Sequence, residues 1–300
     1  MDGMVETLKY ALLGVNVVLF FALVTTLLSA QAKPDGSVSS ADGDGSPKKA
    51  LLVTAHPDDE SMFFLPLVHS LTASPAQGEP EWEMHLLCLS RGNFDGLGTI
   101  REREMHVCGQ FIGAKDVNIH VLEDAKLQDG MKEQWNRDHI AQIVLAYIDK
   151  HNVDAVFTFD DYGISGHPNH IDVHFGVKRA LQEQHTRCTV DASQAPQQKA
   201  TKPVRGWALE SVNILRKYIG VLDAVVMPSV LTRGRDKSVF VFLFRPWWNY
   251  QAMALHHSQF VWYRRLFVAF SRYTFINTFT PLVDHTPPSS PTAASDKKTQ

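Results

Sequence analysis

Short apolar runs alternate with amphipathic stretches through the middle of the chain. Lys49–Ala55 (KALLVTA) stops at a His-Pro dipeptide, the pattern of a buried strand running out into a loop. Comparable runs recur at Glu83–Leu89, Val117–Leu122, Ala155–Phe159, Leu209–Leu215 and Ser238–Phe244. Between several of them, apolar residues at helical spacing predict helices at about Glu60–Ala73, Ile100–Ile112, Gln134–Lys150 and His170–Gln184. Strand alternating with helix predicts an α/β fold: a Rossmann-like, mostly parallel sheet with helices on both faces. Ligands of such sheets gather beyond the carboxyl ends of the strands, so chemistry is sought in the loops that follow them.

The two ends break this pattern. After a tip at 1–9, residues 10–30 (YALLGVNVVLFFALVTTLLSA) carry no charge. As a helix they would span about 30 Å, the thickness of a bilayer core, and they are expected to form a single N-terminal transmembrane anchor. Ala30-Gln31-Ala32 has the small-x-small form of a cleavage site, which makes a secretory signal peptide the alternative. Only Lys9 stands before the run, beside Asp2 and Glu6, and the run is longer than a usual signal core, so retention is the expectation. Lys33, Lys48 and Lys49 on the far side favour a cytosolic position for the rest of the chain. Residues 31–48, rich in Ser, Gly, Asp and Pro, read as a flexible linker, and 286–300 as a disordered tail. That leaves one domain at 49–285, interrupted from Gln184 to Arg205 by a Gln-, Ala- and Pro-containing stretch whose 186–205 part reads as a mobile surface insertion.

Composition narrows the classes. The 300 residues are 44% hydrophobic and 20% charged, with 29 Lys+Arg against 32 Asp+Glu and a net charge of −3. This is ordinary globular usage, and the near-neutral balance argues against bulk binding to nucleic acid. Three cysteines, Cys88, Cys108 and Cys188, are too few and too scattered for a disulfide framework or a four-thiolate zinc site.

Two constellations carry chemistry. After the first strand, His56-Pro57-Asp58-Asp59-Glu60 packs an imidazole and three carboxylates into five residues, with Pro57 stiffening the turn. A His and an Asp three residues apart can hold one divalent metal, leaving the neighbouring Asp free as a base. Helix capping is the other explanation for an Asp here, but it accounts for one carboxylate and not for His56 with all three. After the Ala155–Phe159 strand comes Asp160-Asp161-Tyr162-Gly163-Ile164-Ser165-Gly166-His167-Pro168-Asn169-His170, with His174 one helical turn further on as a candidate support to the ligands. Two such loops meeting at one sheet edge would supply three metal ligands. His85 and His120, inside strand patterns, read as polar packing or surface residues.

AHPDDE after one strand and SGHPNH after another resemble the PIG-L or LmbE-like family of zinc-dependent N-acetylglucosaminyl deacetylases. The stretches SVNILRKYIGVLD from Ser211 and HHSQFVWYRRLFVAFSRY from His256 are similar to its eukaryotic branch, which acts on N-acetylglucosaminyl-phosphatidylinositol in glycosylphosphatidylinositol-anchor synthesis. The resemblance covers about residues 48–279 and implies His56, Asp59 and His170 as ligands of a divalent metal, most simply zinc. It implies Asp58 as general base, and His167 as the group that stabilises the oxyanion or protonates the leaving amine. Asn169 stands where many relatives have Asp, and Ser165 where some have Tyr. An endoplasmic-reticulum membrane enzyme with a cytosolic catalytic domain is the corresponding expectation.

Further candidates are weaker. Arg101 and Glu104 lie one helical turn apart and read either as a surface ion pair or, for Arg101, as a contact to a lipid phosphate. Asp124 and Asp161 are candidates for binding sugar hydroxyls, although turn formation explains them equally. From Lys237 to Val283 there is no acid, while Arg264, Arg265 and Arg272 interleave with aromatics, which suggests an interfacial helix near 259–275 or core packing with a basic edge. The rivals to a glycolipid deacetylase are a deacetylase of a soluble amino-sugar conjugate and a catalytically silent scaffold.

Overall fold

Strands β1 (Lys48–Thr54), β2 (Trp82–Cys88), β3 (Ile119–Val121), β4 (Ala155–Phe159) and β5 (Arg205–Leu209) run parallel in a computed structural model of the chain. The model describes residues 14–15, 47–73, 82–194, 203–223, 239–242 and 244–283. Two antiparallel strands, β6 (Val239–Phe242) and β7 (Ile276–Pro281), complete a seven-stranded sheet in the order β3-β2-β1-β4-β5-β7-β6. The expected mostly parallel α/β sheet is therefore present. The central strands are buried along nearly their whole length, as a sheet covered on both faces requires. The order reverses at β1, which has β2 on one side and β4 on the other. A crevice forms at such a reversal, and both motif loops leave the sheet beside it.

Helices α1 (Asp59–Phe63), α2 (Leu65–Thr72), α3 (Gly98–Phe111), α4 (Arg137–His151), α5 (Gly163–Gly166) and α6 (Pro168–Gln194) follow in chain order, then α7 (Ile214–Tyr218), α8 (Pro246–Ala254) and α9 (Trp262–Phe270). The single helix expected over 60–73 is two, because Pro66 has no N–H and is tolerated only in a first turn, so a new helix starts at Leu65. Asn136 opens α4 by accepting the Asp138 and His139 N–H groups, and Asn152 closes it in the left-handed conformation at φ 53°.

Three expectations need correction. The strand expected at Leu209–Leu215 lies one strand-length earlier, at Arg205–Leu209. Its apolar continuation turns into α7 after Asn213, whose side chain caps the Arg216 N–H. The 186–205 insertion is in part the end of α6, which runs unbroken to Gln194. The stretch near 259–275 is a helix only over 262–270; a 3-10 turn at Arg272–Thr274 then leads into β7. Apart from residues 14 and 15, the 10–30 anchor segment lies outside the described residues, as do 31–46 and 286–300. No helix among the described residues is long and apolar enough to cross a membrane.

Gly206 lets α6 lie directly over β5: a Cβ there would come 2.1 Å from Leu181 Cδ1 and 3.2 Å from Leu282 Cβ. Gly206→Ala is accordingly expected to destabilise the fold by about 1–3 kcal/mol through overpacking, measured as a lower denaturation midpoint with an unchanged slope.

Candidate metal centre

Asp59 sits in the first turn of α1 and folds back on the loop that precedes it. Its Oδ2 accepts the N–H groups of Ala55 at 3.1 Å and His56 at 2.8 Å. These bonds fix the carboxylate beside the two motif histidines. His170 Nε2 is 3.3 Å from Asp59 Oδ1, and His56 Nδ1 is 3.9 Å from Asp59 Oδ2. All three residues are buried, and one donor atom from each falls within 4.8 Å of the others, a spacing that could hold a metal ion.

The protonation pattern suits that use. His170 Nδ1 meets the Gly163 carbonyl at 3.2 Å and so carries the proton, leaving the Nε2 lone pair directed at Asp59. The Phe159 ring stacks on His170 at 4.1 Å and holds it flat. His56 is turned the other way round: its Nε2–H is shared between Asp129 Oδ1 at 3.0 Å and Asn169 Oδ1 at 3.1 Å, which leaves Nδ1 free toward Asp59. A ligating histidine ordinarily gives its second N–H to a carboxylate or a carbonyl, and here one does each. His56, Asp129 and His167 also cluster closely enough for a metal, but there Nε2 of His56 is already occupied by its hydrogen bonds. The Asp59 set is the one with lone pairs to offer.

Charge follows the same geometry. Burial opposes ionisation of Asp59, but the positive charge of protonated His170 and His56 and the hydrogen bond from His170 outweigh it and hold the carboxyl well below the usual range; a metal would supply that positive charge in place of the two protons. Burial likewise disfavours the charged form of His56, yet the Asp129 hydrogen bond and the charges of Asp59 and Asp129 together raise its pKa. His167 goes the other way: burial first, then the neighbouring His170 and His56, push it down to about 4. It is neutral at pH 7. Its Nδ1 accepts the Asn169 N–H at 3.3 Å, which leaves the proton on Nε2.

Asp58 occupies the N-cap position of α1, but its side chain makes no capping bond. Its φ of 109° is unusual for a residue with a Cβ, and the conformation turns the carboxylate away from the helix. Oδ2 is bound by Arg264 from α9, and Oδ1 lies 3.6 Å from Arg101 Nη2. The loop is held from behind by Glu60, which accepts the Asp58 N–H on Oε2 at 3.1 Å and the fully buried His256 on Oε1 at 2.5 Å.

The remaining candidates divide. Arg101 does not pair with Glu104. It is buried, donates to the carbonyls of Gly92 at 2.7 Å and Pro57 at 2.8 Å, and so ties two loops together. Glu104 instead accepts the Ser258 N–H at 2.7 Å and its hydroxyl at 2.6 Å. Asp124 binds the Lys126 N–H and His139 Nε2, and lines with Asp129 a cleft of about 90 Å³. Asp161 is exposed, while the turn-forming residue of that loop is Asp160, which takes the Gly163 N–H and both donors of Ser211. His174 ends on the Phe159 carbonyl at 2.9 Å, so it steadies the strand end that backs His170. Asn169 explains its own departure from Asp: its amide N–H donates to the Glu133 carbonyl at 3.0 Å, which a carboxylate could not do. The sequence carries no signal for Asp129 beside His56, and it shows Glu60, His256 and Arg264 without the long-range contacts that bring them to the Asp58 loop.

Known proteins resemble this chain in sequence and in fold. The family profile described as PIG-L, GlcNAc-PI de-N-acetylase, matches residues 51–181. The chain is 37% identical over 226 residues to a probable N-acetylglucosaminyl-phosphatidylinositol de-N-acetylase of Schizosaccharomyces pombe, covering 74% of this chain and 82% of that one. It is 36% identical over 235 residues to the N-acetylglucosaminyl-phosphatidylinositol de-N-acetylase of Bos taurus, covering 78% and 83%. Among solved structures, N,N'-diacetylchitobiose deacetylase from Pyrococcus horikoshii has a similar fold, with a TM-score of 0.53 at 14% identity over 87% of this chain and 92% of that one.

Proposed function

Because the chain belongs to the PIG-L family of de-N-acetylases, we propose that it hydrolyses the N-acetyl group of N-acetylglucosaminyl-phosphatidylinositol. The products are acetate and glucosaminyl-phosphatidylinositol, as in the second step of glycosylphosphatidylinositol-anchor synthesis. The observation that carries this reading is the pair of buried histidines whose Nδ1 and Nε2 atoms are turned onto Asp59, with a second carboxylate, Asp58, held beside them.

Two imidazoles and a carboxylate suit zinc, which His56, Asp59 and His170 would hold. Zinc bound there supplies a Lewis acid for the acetamide carbonyl and brings the pKa of water toward about 7. Asp58 takes the proton of the attacking water; Oδ1 is the oxygen that Arg264 leaves unbound. His167, neutral with its proton on Nε2, donates that N–H to the oxyanion as the tetrahedral centre forms. The C–N bond then breaks as the sugar nitrogen takes the proton held on Asp58, and the acetic acid formed passes its remaining proton to the freed amine and departs as acetate. Arg101 serves to hold the Pro57 and Gly92 loops in register rather than to meet a lipid phosphate. Asp124, on the cleft beside Asp129, and the exposed Asp161 are the carboxylates we assign to sugar hydroxyls. A lipid substrate places the enzyme at a membrane, and with the uncharged 10–30 segment and the lysines after it this supports single-pass anchoring at the cytosolic face of the endoplasmic reticulum, with an interfacial helix within 259–275.

The test is acetate release by the purified, zinc-loaded full chain from N-acetylglucosaminyl-phosphatidylinositol in vesicles. Release is expected, and none from the glycolipid would sink the substrate assignment. Turnover confined to a soluble N-acetylglucosaminyl conjugate would replace the substrate, and turnover of neither would favour a scaffold.

A further inference from the structure

The outward side of α9 is apolar where a surface helix is ordinarily polar. Trp262 is 72% exposed, Tyr263 55%, Leu266 50% and Phe270 57%. At 3.6 residues per turn these four lie within about 100° of arc. The opposite side of the same helix holds the buried Phe267 and Val268 together with Arg264, which reaches in to Asp58.

The patch continues across α7 and the turn after it. Ile214, Leu215, Tyr218 and Leu222 are all exposed. The Tyr218 ring stands edge-on to Phe267 at 6.3 Å, and a Cβ on Gly220 would lie 3.3 Å from the Phe270 carbonyl, so the two elements form one surface. Over residues 211–223 and 259–275 the only acid is Asp223, which is buried and bound by Arg216 and Arg272. Arg265 is exposed, its guanidinium 5.2 Å from the Phe260 ring. The same elements reach the catalytic loops from their inner sides: Arg264 binds Asp58, and Lys217 Nζ donates at 2.7 Å to the Ile164 carbonyl in the loop that leads to His167.

We propose that the outer sides of α7 and α9 form one docking surface for an anionic phospholipid bilayer. This rests on the glycolipid reading above and deepens it by placing the bilayer against particular residues. Aromatic and aliphatic side chains with the exposed Arg265 among them, and no exposed acid within these two stretches, are a composition that enters the headgroup boundary of an anionic membrane. A glycolipid whose tails stay in the bilayer must present its sugar to a site next to the membrane, and this surface adjoins both catalytic loops.

The experiment uses the full chain with an environment-sensitive fluorophore on Leu266→Cys, compared with Val117→Cys on the exposed turn before β3 at the far edge of the sheet. Cys88, Cys108 and Cys188 are buried, so an installed surface cysteine takes the label. On reconstitution into phosphatidylcholine vesicles with about 20% phosphatidylserine, the label at 266 is expected to brighten about two-fold and to be quenched by lipids carrying a shallow spin label. The label at 117 should do neither. Equal responses at the two positions would overturn the proposal. So would a label at 266 that is already shielded before lipid is added, since the face would then be covered by protein. Leu266→Asp with Phe270→Asp should raise the vesicle glycolipid concentration giving half-maximal acetate release about tenfold at unchanged metal content. An unchanged value would count against docking. The fluorophore measurement contains no substrate, so its outcome stands apart from whether acetate is released at all.

Discussion

Asp58→Asn is expected to lower kcat for acetate release about 10³-fold, which is about 4 kcal/mol of transition-state stabilisation, while the protein keeps its metal. The substitution is selective for physical reasons. Asparagine has the same shape and is among the residues that best tolerate positive φ, so the backbone at φ 109° is not disturbed. The side-chain oxygen still accepts from Arg264, and the backbone N–H still donates to Glu60. What disappears is the ability to take a proton. Because Asp58 is outside the set His56, Asp59 and His170, metal content measured beside the kinetics should match the unaltered protein. The loss should fall on kcat with little change in KM, since a base that acts on water contributes little to holding the sugar in the ground state. Equal metal loss in Asp58→Asn and Asp59→Asn would contradict the division of labour between the two neighbouring carboxylates.

That division was partly legible in the sequence, because the residues involved are close along the chain. His56, Asp58 and Asp59 lie within four positions just after β1, and His167 and His170 lie just after β4. The strand-helix alternation already placed both loops at the same edge of a parallel sheet. The residues that orient these groups come from far away. Asp129 belongs to the loop after β3, in a stretch with no motif. His256 reaches Glu60 across 196 positions and Arg264 reaches Asp58 across 206. Nothing in local spacing reports such contacts, since they exist only once α8 and α9 pack against the loop after β1. The basic and aromatic run around Arg264 was visible, but its pattern said that the helix had two faces and not that one of them closes on the general base. The misplaced β5 has a similar origin. Gly206 gives Arg205–Leu209 little strand character taken alone, and the reason for a glycine there is the approach of Leu181 from α6. The end of α6 was misread because its Gln- and Ser-containing sequence resembles a loop, although no proline interrupts it before the helix ends.

His170→Ala should abolish turnover by a different route, through the loss of metal. Zinc binding by four ligands is worth roughly 10–16 kcal/mol, or about 2.5–4 kcal/mol for each, so deleting one is expected to weaken affinity about 10²–10³-fold. Asp129→Asn should be milder, at about 10–100-fold, because it leaves all three donors in place and removes only the charge that orients His56 and makes it a better donor. Bound metal after equilibration against graded chelator separates these two from each other and from Asp58→Asn. Stability alone would not, because His170→Ala also empties the space against Phe159, where the rings stack at 4.1 Å, and so lowers Tm with or without metal. The discriminating quantity is the increment in Tm on adding zinc, since a ligand that binds only the folded state stabilises it according to its own affinity. That increment should be intact in Asp58→Asn, reduced in Asp129→Asn and nearly gone in His170→Ala. A full increment in His170→Ala would mean that the metal sits elsewhere, and the cluster of His56, Asp129 and His167 would then be the place to look.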